Sequence, residues 1–240
     1  MSELHEVAAT VEREGFAIVP DVLDEGQIAR AGSMLERAEH SACVRRRGGV
    51  YAIRNLLEAV PELCELIEAT RVRALAAQVL GARCFVVRSI LFDKTPEANW
   101  KVAWHQDLSI AVRERRDAEG FGAWSEKAGV THVQPPAAIL ERMLAVRLHL
   151  DACDESNAPL RVIPASHLHG RLSAEAIARM RADSRIVSCL VPRGGALLMR
   201  PLLLHASSAA RAPLHRRVVH LEFAAGDLPA GLEWSSGRNE

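Results

Sequence analysis

CFVVRSILFDK, at residues 84–94, is where the apolar residues change from helical spacing to the alternation of a β-strand. Six further segments of this kind follow: VAWHQDLSIAV (102–112), MLAVRLHLDAC (143–153), PLRVIPASH (159–167), RIVSCLVP (185–192), ALLMRPLLLHASS (196–208) and RRVVHLEFAA (216–225). Gly194 and Gly195 can turn the chain between two of them. Short strands at this spacing predict an all-β barrel or a jelly roll rather than a parallel sheet.

The residues before this segment have mostly helical spacing. A first apolar stripe ends at Gly15, a candidate C-terminal cap, and consists of Leu4, Val7, Ala8 and Val11. Asp24 with Gln27 three residues later is the pattern of a capping box, which predicts the start of a second helix. Residues 41–55 read as a basic loop with glycines. We expect a single domain over 1–240, with a mostly helical part at 1–83 and a β core at 84–228.

Composition and charge exclude several classes of protein. Lys and Arg together number 30, as do Asp and Glu, so no net charge attracts nucleic acid or a membrane surface. Five scattered cysteines without a Cys-x-x-Cys pair favour reduced thiols in a cytoplasm. The charged N-terminus is not a signal peptide, and no apolar run is long enough to span a membrane. We expect a cytoplasmic monomer or homodimer that binds a small molecule.

His105 and Asp107 are separated by one residue, so on an extended segment their side chains point to the same side. His205, from a distant strand, can complete two histidines and one carboxylate on one face of a metal ion. This is the ligand set of non-heme Fe(II) oxygenases, and it leaves coordination positions open for other ligands. The same three residues also fit zinc in a hydrolase or isomerase, and a histidine paired with an aspartate can be purely structural.

Arg216 lies eleven residues after His205 and can hold a carboxylate at a distance from the metal. Its planar guanidinium suits a bidentate carboxylate, whereas a lysine acts as a point charge. Arg217 would point to the opposite face of the same strand. A shift of one residue in register would therefore exchange the two arginines.

Four segments together resemble the phytanoyl-CoA dioxygenase family of Fe(II)/2-oxoglutarate oxygenases: WHQD (104–107), NAPLRVIPASHLHG (157–170), VPRGGALLMRPLLLHASS (191–208) and RRVVHLEF (216–223). The resemblance implies a mainly β fold, a double-stranded β-helix or cupin-like jelly roll flanked by α-helices. It implies that His105, Asp107 and His205 bind Fe(II) and act in catalysis, with 2-oxoglutarate and O2 as cosubstrates. The expected reaction is hydroxylation of a small organic substrate with release of succinate and CO2.

The resemblance also bears on residues around the cosubstrate. Arg216 matches the arginine that binds the distal carboxylate of 2-oxoglutarate, and Ser207 matches a hydroxyl near it. Arg147 stands where a relative has an aromatic residue, and it can contact either 2-oxoglutarate or an anionic substrate. The alternatives are a backbone hydrogen bond for Ser207 and a charge on the strand surface for Arg147. Flanking segments add further substrate-pocket candidates: Lys94, Tyr51, Arg54 and Asn55.

Residues 113–137 form a long polar connection that contains three glycines and ends in Pro135 and Pro136. Because it leaves the strand with His105 and Asp107, it is a candidate lid, and a surface loop without a role is the alternative. Two other functions stay open: a non-catalytic metabolite-binding relative on the same jelly roll, and a metal-dependent hydrolase with the same triad. The residues do not choose among acyl-CoA, amino-acid, compatible-solute and secondary-metabolite substrates.

Overall fold

The computed structural model describes residues 3–38, 44–47, 49–212 and 214–236. The α-helices in this part of the chain are α1 (Glu3–Glu14), α2 (Glu25–Arg37), α3 (Leu56–Ala59), α4 (Glu62–Glu68), α5 (Val72–Leu80), α6 (Ala137–Leu140) and α7 (Ala174–Asp183). The strands are β1 (Phe16–Val19), β2 (Val44–Arg47), β3 (Gly49–Arg54), β4 (Cys84–Lys94), β5 (Val102–His105), β6 (Ile110–Val112), β7 (Gly122–Lys127), β8 (Val130–Gln134), β9 (Met143–His149), β10 (Leu160–Val162), β11 (Val187–Cys189), β12 (Ala196–Met199), β13 (His205–Ser207) and β14 (Arg216–Ala225).

Two antiparallel sheets form the core of the protein. The large sheet has the order β1-β12-β9-β14-β4-β3-β2, and the small sheet has the order β11-β10-β13-β5. Side chains from both sheets line one shared cavity. A third, three-stranded sheet has the order β6-β8-β7. The large sheet extends across the predicted boundary at residue 84, because β1, β2 and β3 all pair within it.

The outer face of the large sheet packs against the N-terminal helices. Alternate side chains of the β9 segment enter the hydrophobic core that these helices share: Leu144, Val146, Leu148 and Leu150. Side chains alternate along a strand, so Arg147 and His149 point to the opposite face. Because the helices cover one face of the large sheet, the cavity lies on the opposite face.

Two helix ends have the predicted caps. Asp24 Oδ1 accepts a hydrogen bond from the Gln27 N–H at 2.7 Å, and Gln27 Oε1 accepts one from the Asp24 N–H at 2.9 Å. This reciprocal pair confirms the capping box of α2. Gly15 ends α1 with a φ of +84°, and a Cβ there would lie 2.5 Å from His167 Nδ1. Glycine is therefore required where α1 turns into β1.

Two segments predicted as continuous strands are broken. Residues 102–112 divide into β5 and β6, because the Asp107 N–H donates to the Pro201 carbonyl at 2.9 Å instead of to a neighbouring strand. Residues 196–208 divide into β12 and β13, with a turn in which the Leu203 N–H donates to the Arg200 carbonyl at 3.0 Å. Pro201 has no N–H to donate and favours this break. Both interruptions bring the triad segments together.

Two segments predicted as loops are β-hairpins instead. Residues 41–55 contain β2 and β3, and the side chains of Arg45, Arg46 and Arg47 lie outside the described part of the chain. Residues 113–137 contain β7 and β8, joined by Ala128 and Gly129 with φ of +55° and +76°. Two positive φ values are those of the tight turn that joins twisted strands. The polar composition concealed this second hairpin, whose buried side includes Val133.

Candidate active site

The three predicted metal ligands lie together where the small sheet ends. His105 on β5 pairs with His205 on β13, and Asp107 follows β5 by two residues. His105 Nε2 lies 3.6 Å from Asp107 Oδ1, and His205 Nε2 lies 3.7 Å from Asp107 Oδ2. Their possible ligand atoms all fall within 4.8 Å of one another. Within the described residues, no other group of three such side chains has this geometry.

Backbone carbonyls fix the tautomer of both histidines. His105 Nδ1 donates to the Ala103 carbonyl and His205 Nδ1 donates to the Leu203 carbonyl, each at 2.9 Å. A carbonyl oxygen can only accept, so Nδ1 carries the proton in each ring. Each Nε2 is then left with a lone pair that faces the carboxylate, as a metal ligand requires.

Gln106 holds the segment between the two ligands. Its side-chain amide donates to the carbonyls of Gly170 at 2.8 Å and Leu202 at 2.7 Å. Its Oε1 accepts from the Leu172 N–H at 2.8 Å. Gln106 therefore points away from the triad and locks its backbone to two other segments.

The electrostatics favour a neutral His205 imidazole beside a charged Asp107 carboxylate. Burial lowers the pKa of His205 to about 4, although Asp107 opposes this shift. Burial also acts to lower the pKa of His105, but the hydrogen bond and charge of Asp107 outweigh it and raise the pKa. For Asp107, burial acts to raise the pKa, but the neighbouring histidines lower it. Two nitrogen donors and one carboxylate on one face fit Fe(II) with open coordination positions.

The cavity beside the triad contains Lys94 and Arg216, which are neighbours on paired strands. Lys94 lies opposite Arg216 in the β4–β14 register. Lys94 Nζ donates to Ser207 Oγ and to the Ser208 carbonyl, each at 2.7 Å. Arg216 Nη1 donates to the Ala158 carbonyl, and Arg216 Nε has no hydrogen-bond partner in the described part of the chain. Both cations are buried against neutral acceptors, so the site is short of negative charge.

Burial and the nearby charge of Arg216 lower the pKa of Lys94 to about 7. The sequence suggested Lys94 only as a substrate-pocket candidate, because nothing local shows its pairing with Arg216. Ser207 accepts from Lys94 and also donates to the Ser208 carbonyl at 3.2 Å. The hydroxyl thus has the backbone hydrogen bond considered as its alternative and, in addition, a hydrogen bond to Lys94, which lines the cavity.

Arg147 also lines this cavity, so its alternative as a charge on the strand surface is wrong. Its Nη1 bonds to His220 Nδ1 at 3.0 Å, and its Cζ lies 5.7 Å from the ring centre of Phe92. Burial, followed by the charge of Arg216, lowers the pKa of Arg147 to about 10.

Arg217 points away from the cavity. Its Nε and Nη2 donate to the two carboxylate oxygens of Asp151 at 2.9 and 2.8 Å. The register that places Arg216, and not Arg217, in the cavity is therefore the observed one.

Two arginines at the start of the 113–137 segment, Arg113 and Arg116, are exposed and pair with Glu233 and Glu114. Arg54 and Asn55 are not among the residues that line this cavity, and the Tyr51 side chain lies outside the described part of the chain. The sequence did not identify Arg88 and Glu222, whose side chains form an ion pair of 2.8 Å inside the cavity. Glu222 alternates with His220 and Arg216 along β14, and Arg88 lies opposite Glu222 on β4. This spacing was the sequence signal that could have identified the pair.

The sequence matches the family model described as phytanoyl-CoA dioxygenase over residues 11–219. It is also similar to the ectoine dioxygenase of Bordetella parapertussis, at 24% identity over 165 residues. That match covers 65% of this chain and 47% of the relative, so the chain spans about half the length of the curated relative that it matches. No described helix is long and apolar enough to cross a membrane.

Solved structures show the same fold. The non-heme α-ketoglutarate-dependent carbocyclase SnoK from nogalamycin biosynthesis superposes with a TM-score of 0.71 at 15% identity, covering 100% of this chain and 88% of that chain. EctD from S. alaskensis, crystallised with 2-oxoglutarate and 5-hydroxyectoine, gives 0.71 at 19% identity, covering 94% of this chain and 76% of that chain. These likenesses confirm the mainly β jelly roll with flanking helices.

Proposed function

The chain belongs to the phytanoyl-CoA dioxygenase family, and from this membership and the site geometry we propose that it is an Fe(II)- and 2-oxoglutarate-dependent dioxygenase that hydroxylates a small organic substrate. The observation that carries the proposal is the His105, Asp107 and His205 cluster beside a cavity in which Lys94 and Arg216 have no carboxylate partner among the described residues. The relatives EctD and SnoK, whose descriptions include 2-oxoglutarate or α-ketoglutarate, support the same cosubstrate.

The triad residues would hold Fe(II) through two Nε2 atoms and one carboxylate. The proton on each Nδ1 is held by a backbone carbonyl, so both rings keep their orientation when a metal binds. Fe(II) with 2-oxoglutarate and O2 supplies the oxidising chemistry, in which 2-oxoglutarate yields succinate and CO2 while the substrate is hydroxylated. Asp107 stays ionised because its histidine neighbours lower its pKa.

Arg216, Lys94 and Ser207 are proposed to hold the distal carboxylate of 2-oxoglutarate. Arg216 Nε is buried without a hydrogen-bond partner among the described residues. Lys94 Nζ donates to a hydroxyl and a carbonyl oxygen and lies 5.4 Å from the centre of the Trp100 ring. Burying such cations without an anion is unfavourable, so a dianionic cosubstrate would stabilise this site. The unsatisfied Arg216 Nε and the uncompensated charge of Lys94 therefore support the binding of 2-oxoglutarate at this position.

The hairpin of β7 and β8, within residues 113–137, is proposed to cover the cavity as a lid. The position of His132 on β8 supports this proposal. Burial lowers the pKa of His132 to about 4, and the nearby charges of Arg88 and Lys127 lower it further. Arg88 itself lines the cavity. A cover at this position would exclude water from the reacting atoms.

The remaining proposals concern the protein as a whole. We propose one oxygenase domain over 1–240 that acts in the cytoplasm as a monomer or homodimer on a small molecule. The free thiols of Cys64, Cys84, Cys153 and Cys189 support a reducing compartment.

Turnover of 2-oxoglutarate tests the proposal. Aerobic incubation with Fe(II), ascorbate and 2-oxoglutarate should release succinate, and the variant Asp107→Ala should release none. Asp24→Ala is the matched control, because Asp24 caps α2 and does not line the cavity. Metal-dependent ester or amide hydrolysis without O2 uptake would instead assign the triad to a hydrolase. Metabolite binding by metal-loaded protein that never releases succinate would indicate a non-catalytic relative.

A further inference from the structure

Arg147 is a buried cation with no carboxylate within salt-bridge distance among the described residues. Only 9% of its surface is exposed, and its Nε has no hydrogen-bond partner. Its one hydrogen bond, from Nη1, goes to the neutral ring nitrogen His220 Nδ1 at 3.0 Å. A buried charge without a counter-ion is costly, and such a group marks a place where an anion binds.

A chain of three side chains fixes the orientation of this arginine. His220 Nε2 lies 3.3 Å from Glu222 Oε1, and Arg88 Nη1 donates to the same oxygen at 2.8 Å. A carboxylate can only accept, so Nε2 of His220 carries the proton and Nδ1 accepts from Arg147. With Nη1 engaged, Arg147 is left with its Nε–Nη2 edge. Two parallel N–H groups on this edge match the two oxygens of a carboxylate or a phosphate.

The charges around the cavity leave Arg147 without an anion even when the proposed cofactors are bound. The lining contains four cationic side chains and two carboxylates: Arg88, Lys94, Arg147, Arg216, Asp107 and Glu222. A divalent metal and a dianionic cosubstrate add no net charge, so the lining keeps two positive charges when both are bound. Arg88 is paired with Glu222, and the distal carboxylate of 2-oxoglutarate is assigned to Arg216 and Lys94. Arg147 is the cation of this lining that has neither a carboxylate partner among the described residues nor an assigned contact with the cosubstrate.

Resting on the proposed function, we infer that the primary substrate carries an oxyanion, in the simplest case a carboxylate, and that the Nε–Nη2 edge of Arg147 binds it. Glu222 does not oppose an anion here, because Arg88 already compensates its charge. Arg147 thus becomes the residue that determines substrate specificity, and Glu222 with His220 position it.

The experiment uses the full chain loaded with Zn(II) and saturated with 2-oxoglutarate. Thermal unfolding is followed while acetate, inorganic phosphate or the neutral acetamide is added to the wild type, Arg147→Gln and Arg147→Lys. Arg179→Gln, a change at an exposed arginine on α7, is the matched control. Calorimetric titration measures the 2-oxoglutarate Kd of each protein, with Arg216→Gln as the reference for loss of a cosubstrate contact.

We expect acetate, but not acetamide, to raise the Tm of the wild type and of Arg179→Gln. Arg147→Gln should lose at least tenfold in acetate affinity, with its 2-oxoglutarate Kd within about threefold of the wild type. Arg147→Lys should keep part of the effect, because it retains the charge without the fork. Phosphate acting in place of acetate would identify a phosphorylated substrate by the same chemistry.

Two results would overturn the inference. One is a 2-oxoglutarate Kd that rises as far in Arg147→Gln as in Arg216→Gln, which would assign Arg147 to the cosubstrate. The other is an equal response to acetate in Arg147→Gln and the wild type. Failure of the wild type to bind 2-oxoglutarate at all would instead refute the proposed function.

Discussion

Lys94 couples cosubstrate binding to pH. Burial and the charge of Arg216 lower its pKa to about 7. A dianion bound beside the ammonium restores the pKa toward its ordinary value, so binding 2-oxoglutarate takes up a proton wherever free Lys94 is neutral. The affinity for 2-oxoglutarate is therefore highest below pH 7 and falls as the pH rises above 7.

The size of this pH dependence is set by the fraction of Lys94 that is neutral before 2-oxoglutarate binds. With a free pKa near 7, about 0.9 proton is taken up per bound 2-oxoglutarate at pH 8, and the Kd rises about eightfold between pH 7.5 and pH 8.5. An eightfold change is about 1.2 kcal/mol. This range lies well above the pKa of about 4 for His205, so that ligand does not contribute.

Calorimetric titration of the Zn(II)-loaded protein in two buffers of different ionisation enthalpy measures the proton uptake directly. Lys94→Arg keeps a cation that does not titrate in this range, and it should bind 2-oxoglutarate with little pH dependence. The reasoning is refuted if the wild type takes up no proton at pH 8, or if Lys94→Arg shows the same pH dependence as the wild type.

Three other substitutions distinguish effects on the free energy of unfolding from effects on metal and cosubstrate binding. Asp24→Ala removes the capping box of α2 and should cost about 1 kcal/mol in urea unfolding with the 2-oxoglutarate Kd unchanged; a changed Kd would contradict a purely local role. Leu148→Ala opens a cavity between β9 and the helices and should cost about 2–5 kcal/mol by the same measurement, and a cost below 1 kcal/mol would contradict the assigned packing. Gln106→Ala frees the backbone between the ligands and should weaken Zn(II) binding about 10–100-fold in a chelator competition, whereas unchanged affinity would show that the metal itself orders the segment.

Features encoded in adjacent residues were predictable from the sequence. The capping box of Asp24 and Gln27 is a local pattern, and the structure has it. The spacing of His105 and Asp107 required only that two nearby side chains face one way, and the structure brings them together with His205. Alternation along a single strand was likewise enough to separate the faces of Arg216 and Arg217.

Features that depend on which strands pair were not predictable. Lys94 becomes a partner of Arg216 only because β4 lies against β14, and Arg147 meets His220 only because β9 lies on the other side of β14. Besides the polar composition of its strands, the turn of the β7–β8 hairpin made it hard to predict, because Ala128 occupies a positive φ that glycine or asparagine usually signals.

The most direct test of the account is the anaerobic addition of 2-oxoglutarate to the Fe(II)-loaded protein. Bidentate binding of the cosubstrate at the site of His105, Asp107 and His205 predicts a weak visible charge-transfer band that saturates at one 2-oxoglutarate per chain and is absent in Asp107→Ala. Folded, iron-loaded protein that develops no such band would contradict the central claim.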